Sequence, residues 1–303
     1  MQSKKVLGLG ELLWDVFEDS RKPGGAPANV AFQLNQLGLD GIIASRVGAD
    51  PLGAEITQFL SGMGLSTDFI QTDAGRPTGT VTVQLDATGT PSYVIHENVA
   101  WDFLELTPEL EALLPTLSAV CFGTLAQRGK TTRETIQKIL DRVPADCLKV
   151  YDVNLRQDFF SRELLETSLE KSNVAKMNDG EMEVLKPVFG LPQDLAPVDF
   201  ALNLCEKYGL EEVCITRAEK GCFLVRKDGQ TADVPGKIVQ VADTVGSGDS
   251  FSAALIYTML RGSEIQTQAE FANEVGTLVA TRSGGMPPLQ EELAALKRQF
   301  GLF

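Results

Sequence analysis

Short apolar runs rich in β-forming residues alternate along this chain with longer stretches whose apolar positions recur every three to four residues. The short runs at 5–9, 42–47, 119–122, 149–153, 174–177, 213–216 and 223–225 predict strands, and the longer stretches at 28–36, 53–63, 130–143, 200–208 and 250–260 predict helices. In the last helix Phe251, Ala254, Leu255, Thr258 and Met259 form one apolar stripe, while Ala253, Ile256 and Leu260 make the other face apolar too. A helix apolar all round is expected at the centre of the molecule. Strand-helix alternation predicts an α/β fold with a mostly parallel sheet covered by helices on both faces. One segment follows a different period. Val81, Val83 and Leu85 alternate with Thr80, Thr82 and Gln84, a turn is expected at 86–89, and a second run covers 90–95. That pattern predicts a β-hairpin with one polar face, with residues 12–17 able to add a third strand. A small antiparallel flap of this kind suits a lid over a site in the parallel domain.

Composition narrows the class. The chain has 303 residues, with 43% hydrophobic and 22% charged, enough for one large α/β domain or two small ones. No apolar run reaches about 18 residues, so no membrane span is expected, and the N-terminal apolar stretch is too short for a signal peptide. The five cysteines (Cys121, Cys147, Cys205, Cys214 and Cys222) are scattered, with no C-x-x-C pair. Buried thiols in a reducing cytoplasm are the expectation. The formal net charge of −14 argues against nucleic-acid or anionic-membrane partners. It also means that any phosphate must be held by local amides, a few cationic side chains and Mg²⁺. A single histidine, His96, leaves little room for Ser-His-Asp chemistry or histidine-rich metal sites.

The densest chemistry lies at Asp243-Thr-Val-Gly-Ser-Gly-Asp249, immediately before the apolar helix. Gly246, Ser247 and Gly248 are small enough for backbone to press against a ligand, and a helix start leaves several N–H groups without an internal acceptor. Those amides and the helix dipole suit a phosphate. A carboxylate beside such a cradle, at Asp249, has a use as the base that takes a proton from an attacking hydroxyl. The bland alternative is an acidic residue that merely favours the first turn of a helix. A second motif, Gly24-Gly25-Ala26-Pro27-Ala28-Asn29, opens the helix near residue 29. Its glycines permit close approach, and Asn29 can both donate to and accept from a polyol. Asp15 is a further hydroxyl acceptor. Asn154, Asn178, Glu181, Thr216 and Arg217 all follow the carboxyl ends of predicted parallel strands, where open α/β sheets bind ligands. Two other motifs fail. Gly123 to Thr131 has five residues between its glycines where a P-loop needs four, and Gly8-x-Gly10 lacks the third glycine of a dinucleotide fingerprint.

Together these residues resemble the ribokinase-like, or PfkB, carbohydrate kinases. The resemblance rests on Gly24–Asn29, on Asp243–Asp249 with Ser250-Phe-Ser-Ala-Ala254 after it, on Asn178-Asp-Gly-Glu181, and on Thr216-Arg-Ala-Glu-Lys-Gly221, where Ala218 stands in place of the usual glycine. Gly10–Asp15 and Asp152–Arg156 look most like fructokinases. The resemblance implies a single ribokinase-like three-layer α/β domain over 1–303, with a small antiparallel β lid from residues 11–20 and 78–98. It implies ATP and Mg²⁺, with a monovalent cation such as K⁺ near the anion hole. By position, Asp249 is the catalytic base and Gly246, Ser247 and Gly248 form the anion hole. Asp15, Gly24, Gly25 and Asn29 hold the sugar, and Arg156 lies near the sugar or the transferring phosphate. Asn178, Thr216, Gly221 and Asn273 line the nucleotide, with Asn178 and Glu181 organising Mg²⁺ through water. Asp243 and the Val245 carbonyl bind the monovalent cation. The implied reaction is phosphoryl transfer to a ketose hydroxymethyl, most readily fructose. 2-Keto-3-deoxygluconate, ribose and a nucleoside are alternative acceptors, and a non-catalytic sugar- or nucleotide-binding regulator is the distant alternative. The hairpin edge could pair with its copy in a homodimer.

Overall fold

A computed structural model describes residues 3–85 and 91–302. In the first third of the chain, β1 (Lys5–Leu9), β2 (Leu13–Val16), β3 (Arg21–Gly24), α1 (Ala26–Gln36), β4 (Asp40–Gly48) and α2 (Pro51–Gly62) follow one another closely. Next come β5 (Ile70–Asp73), β6 (Gly79–Leu85), β7 (Pro91–Ile95), α3 (Pro108–Leu113), β8 (Leu117–Gly123), α4 (Lys130–Arg142) and β9 (Leu148–Asp152). They are followed by α5 (Arg162–Glu170), β10 (Val174–Asn178), α6 (Asp179–Val188), α7 (Pro197–Tyr208) and β11 (Glu212–Thr216). The chain ends with β12 (Cys222–Arg226), β13 (Thr231–Val234), α8 (Ser247–Met259), α9 (Ile265–Ala280) and α10 (Gln290–Gln299).

Nine strands form one sheet in the order β13-β12-β11-β10-β9-β8-β1-β4-β5. From β11 to β5 every neighbouring pair is parallel, and only β12 runs against its neighbours. Successive residues of a strand face opposite sides, so two cores form. Leu7, Val120, Tyr151, Ala175 and Val213 pack under α4, α5, α6 and α7. Their neighbours Val6, Ala119, Val150, Val174 and Cys214 pack under α1, α8, α9 and α10. The expected α/β sandwich is thus present. The helix predicted at 250–260 is α8, and eight of its residues from Phe251 to Thr258 are buried, as its all-round apolar pattern requires.

A second sheet, in the order β3-β2-β6-β7, stands apart from the first. β6 and β7 pair antiparallel, as the alternating pattern predicts, and β2 joins parallel to β6. The turn expected at 86–89 lies outside the described residues. Sequence alone does not suggest β3, because its core is Lys22-Pro23-Gly24. Proline is tolerated there because β3 is an edge strand. The pattern also leaves β5, β13 and the helices α3, α5, α6, α9 and α10 unpredicted. Polar residues in these helices, such as Gln266, Gln268 and Glu270 in α9, dilute the apolar stripe.

The packing of α8 between the sheet and α9 gives a direct test. Leu255 is fully buried there. Leu255→Ala leaves a cavity in the second core, and denaturant unfolding should show a loss of about 2–5 kcal/mol.

Candidate active site

At the carboxyl ends of the parallel strands a cavity of about 700 Å³ opens toward the small sheet. Its walls come from β2, the start of α1, β6 and β7 of the small sheet, the segments after β8, β9 and β10, and the start of α8. A second cavity of about 600 Å³ lies beside it, between the loop after β11, the 237–241 segment, α8 and α9. Asn178, Thr216, Thr244 and Gly248 line both, so the two volumes meet at the N-terminus of α8.

That terminus differs from those of α2, α5 and α6 in having no side-chain cap. In α2, α5 and α6 a side chain (Asp50, Ser161 and Asn178) accepts from the first turn, but no side chain caps α8. Its N-cap is Gly246, at φ 75°, where a Cβ would lie 2.4 Å from the Gly285 backbone. Only glycine meets both demands. The Ser247 hydroxyl turns away to the Gly276 carbonyl at 2.8 Å. The amides at Gly248 and Asp249 therefore remain for a ligand.

Asp249 borders the first cavity and receives Asn29 Nδ2 at 2.7 Å on its Oδ2. Burial raises its pKa, and the Asp152 charge adds to the rise. The Asn29 hydrogen bond and the Lys176 and Arg156 charges work against it. Beneath lies the buried Lys176, whose ammonium reaches both Asp152 oxygens at 3.0 and 3.1 Å. Ser252 Oγ donates to the same carboxylate at 2.9 Å. A Cβ on Gly248 would sit 3.1 Å from Lys176 Nζ, so the ammonium is directly under the cradle. Lys176 was not singled out from sequence; the available signal was a lysine inside an otherwise apolar strand, Val174-Ala-Lys-Met177.

The expected residues divide as follows. Asp15, Gly24, Gly25, Asn29, Arg156, Glu181, Val245, Gly246 and Asp249 line the first cavity, and Ser247, Gly221 and Asn273 line the second. Gly248, Asn178 and Thr216 line both. Asp243 lies outside the two linings. Gly24 and Gly25 permit close packing, since added Cβ atoms would meet Asp15 Oδ2 at 2.7 Å and the Glu11 carbonyl at 2.5 Å. Arg156 is exposed at the mouth, where its charge offsets those of Asp15, Glu11 and Asp249. Glu11 lies within the Gly10–Asp15 stretch, which assigns it no role of its own, yet it is a buried carboxyl on the first cavity, with Oε2 unpartnered among the described residues. His96 bonds Thr82 Oγ1 and is exposed.

Two candidate ion positions can be tested against the donors present. Glu181 accepts from Leu155 N and Asn178 N, both at 2.8 Å, one on each oxygen. Each oxygen retains acceptor capacity, which suits waters around Mg²⁺ better than direct ligation. Among the described residues no group of three or more His, Cys, Asp or Glu gathers as a metal site. Mg²⁺ is commonly held by one or two carboxylates together with phosphates and waters, and Glu181 fits that pattern. Asp243 differs: its Oδ1 accepts from Val245 N, and its Oδ2 from Gly284 N and the Lys22 ammonium.

A groove that joins two cavities at an uncapped helix start, with a carboxylate on one side, is the arrangement of a small-molecule kinase. The comparisons agree. The pfkB family carbohydrate kinase profile matches residues 3–292, and the chain belongs to that family. A protein named as a sugar kinase from Pyrococcus horikoshii is 30% identical over 312 residues, covering 96% of this chain and 95% of its own. Its solved structure with ATP superposes with a TM-score of 0.83 over 98% of this chain and 99% of that one, at 28% identity. Fructokinase-1 of Oryza sativa is 29% identical over 322 residues, 98% of each chain. A fructokinase double mutant of Vibrio cholerae, solved with fructose, ADP and a potassium ion, shares the fold at 23% identity, with a TM-score of 0.79 over 97% and 98% of the two chains. The protein is a carbohydrate kinase. No helix among the described residues is long and apolar enough to cross a membrane, and all five cysteines are free and buried.

Two stability effects follow from the site. Burial lifts the Glu11 pKa from 4.5 to about 7. The folded protein then binds a proton that the unfolded chain has released, so stability falls as pH rises from 4.5 to about 7. Glu11→Gln should remove that slope, adding on the order of 3 kcal/mol above the folded pKa and little below the unfolded one, in urea titrations across pH. Ala218 adopts a left-handed backbone conformation, at φ 49°. Ala218→Gly relieves the Cβ crowding and should raise stability by about 0.5–1 kcal/mol, read as a higher Tm.

Proposed function

We propose that this carbohydrate kinase transfers the γ-phosphoryl of ATP to a hydroxymethyl group of a ketose, fructose first among the acceptors. The observation that supports this most is the placement of Asp249. Its carboxylate borders the first cavity, steadied by Asn29, beside the uncapped amides of α8 where the second cavity joins. In this reading the sugar occupies the first cavity and ATP the second.

Asp249 accepts the proton of the attacking hydroxyl, and the Gly246–Gly248 segment holds the charge of the transferring group. Phosphoryl transfer asks mainly for positioning and electrostatic support. The raised Asp249 pKa makes the carboxylate a better proton acceptor than an exposed aspartate. Asp15 and Asn29 bind sugar hydroxyls, and the buried unpartnered Asn29 Oδ1 and Glu11 Oε2 are acceptors awaiting donors. Asn178, Thr216, Gly221 and Asn273 contact the nucleotide, and Arg156 reaches the sugar or the phosphoryl group from the mouth. Glu181 and Asn178 would hold the waters around a Mg²⁺ ion, which would supply neutralisation of phosphate charge. Leu13, Asp15, Phe17, Val81 and Ile95 bring the small sheet over the first cavity as a lid that excludes water. β3 belongs to that lid in addition to residues 11–20 and 78–98.

The cavity's character favours a neutral polyol. Glu11, Asp15, Asp152, Glu181 and Asp249 line it against Arg156 and Lys176, an excess of acid that disfavours a carboxylate-bearing acceptor such as 2-keto-3-deoxygluconate. Phe17 is the one aromatic side chain among its described lining residues, which leaves little for a nucleoside base to stack on.

ADP release should be measured with fructose, ribose, 2-keto-3-deoxygluconate and adenosine. Fructose is expected to give the highest kcat/KM, and another acceptor in first place rejects that assignment. Asp249→Asn should lower kcat by about 10²–10⁴-fold with a small change in sugar affinity. Near-parental turnover in that variant would remove Asp249 as the base.

A further inference from the structure

The resemblance places a monovalent cation at Asp243 and the Val245 carbonyl, yet the charge of Asp243 is met from within the chain. Lys22 Nζ lies 3.1 Å from Asp243 Oδ2 and 3.3 Å from Ser283 Oγ. Gly284 N donates to the same oxygen at 3.1 Å, and Val245 N to Oδ1 at 3.0 Å. One ammonium and two amides thus converge on a carboxylate that is largely shielded from solvent. The donors around Asp243 are those expected if a cation's role were already filled.

The position of Lys22 gives this pair its meaning. Lys22 lies on β3, directly across from Asp15 on β2. Its ammonium also sits 5.9 Å from the Phe17 ring centroid. Asp243 begins the segment that leads through Val245 to the Gly246 cap, and Gly246 in turn rests on Gly285. Three pieces of chain meet here: the small sheet, the cradle segment and the 283–285 loop.

We infer that Lys22 is a built-in cation, a positioning residue that fixes the anion cradle from the lid and removes the need for a bound monovalent ion. This rests on the kinase reading above, because the cradle it fixes is the one assigned to the transferring phosphoryl group. The ion pair also ties the strand facing the sugar to the segment facing the phosphate, so acceptor binding and cradle order are coupled.

The test compares potassium with tetramethylammonium at equal ionic strength, in three readouts: Tm of the ligand-free protein, ADP affinity by calorimetry, and ADP release with fructose. The parent should change by less than about twofold in affinity and turnover between the two salts. Lys22→Met should bind ADP and turn over about tenfold less well in tetramethylammonium and recover most of that loss in potassium. Lys22→Arg, which keeps the charge, should stay indifferent to the salt. A merely structural lysine would not give potassium rescue. A parent that itself loses about tenfold without potassium overturns the proposal, and needs no variant to show it. So does a Lys22→Met protein equally weak, or equally active, in both salts. If no acceptor releases ADP in any salt, the kinase reading fails, while the Tm and ADP-affinity comparisons still decide the cation question.

Discussion

The Lys176 ammonium is the charge on which the rest of the site depends. Asp152, Glu181 and Asp249 all raise its pKa from nearby, and it bonds Asp152 through both oxygens. Without it, several carboxylates would face one another in a protein that already carries a net charge of −14. Breaking a buried pair of this kind typically costs about 3–5 kcal/mol, because the orphaned partner stays out of water. The fold gives Lys176 its place: β10 runs between β9 and β11, so the lysine emerges beside Asp152 and under Gly248. Ser252, one turn into α8, completes the bond pattern. The sheet and the central helix are therefore joined by charge as well as by apolar packing.

On the kinase reading proposed above, this arrangement lets an acidic protein hold phosphates. The cradle presents amide dipoles, and the positive charges stand behind or beside it, on Lys176 and Arg156. Carboxylates are kept from opposing the ligand by hydrogen bonds: Asp152 by Lys176 and Ser252, Glu181 by Leu155 and Asn178, and Asp249 by Asn29. Local geometry offsets the net charge because interactions at contact distance are little screened, whereas the distant surface charges are screened by salt.

Much of the fold could be read in the sequence, for physical reasons. Strands buried on both faces read as continuous apolar runs, and all seven predicted in this way are present. The α8 start was legible because glycines weaken the first turn of a helix, and are worth that cost where backbone must approach a ligand or take a positive φ. Elements that fold through context were harder to see. β3 is a proline-containing edge strand, and α9 and α10 carry many polar residues. At the site, motif residues were visible because their backbone demands are unusual, as with Gly246 and Gly25. Glu11, Lys176 and Lys22 were not, since an acid or a lysine acquires its role only from partners that are distant in sequence. Asp243 lies 221 positions from Lys22.

The order of the sheet has a consequence for biosynthesis. Helix α1 packs on α8, although more than two hundred residues separate them in the chain. A ribosome adding about 5–20 residues per second would leave the apolar flank of α1 without its partner for on the order of ten seconds or more. During that interval the nascent chain presents a sticky surface at its amino end, and chaperone occupancy there should end only when the carboxyl-terminal helices emerge.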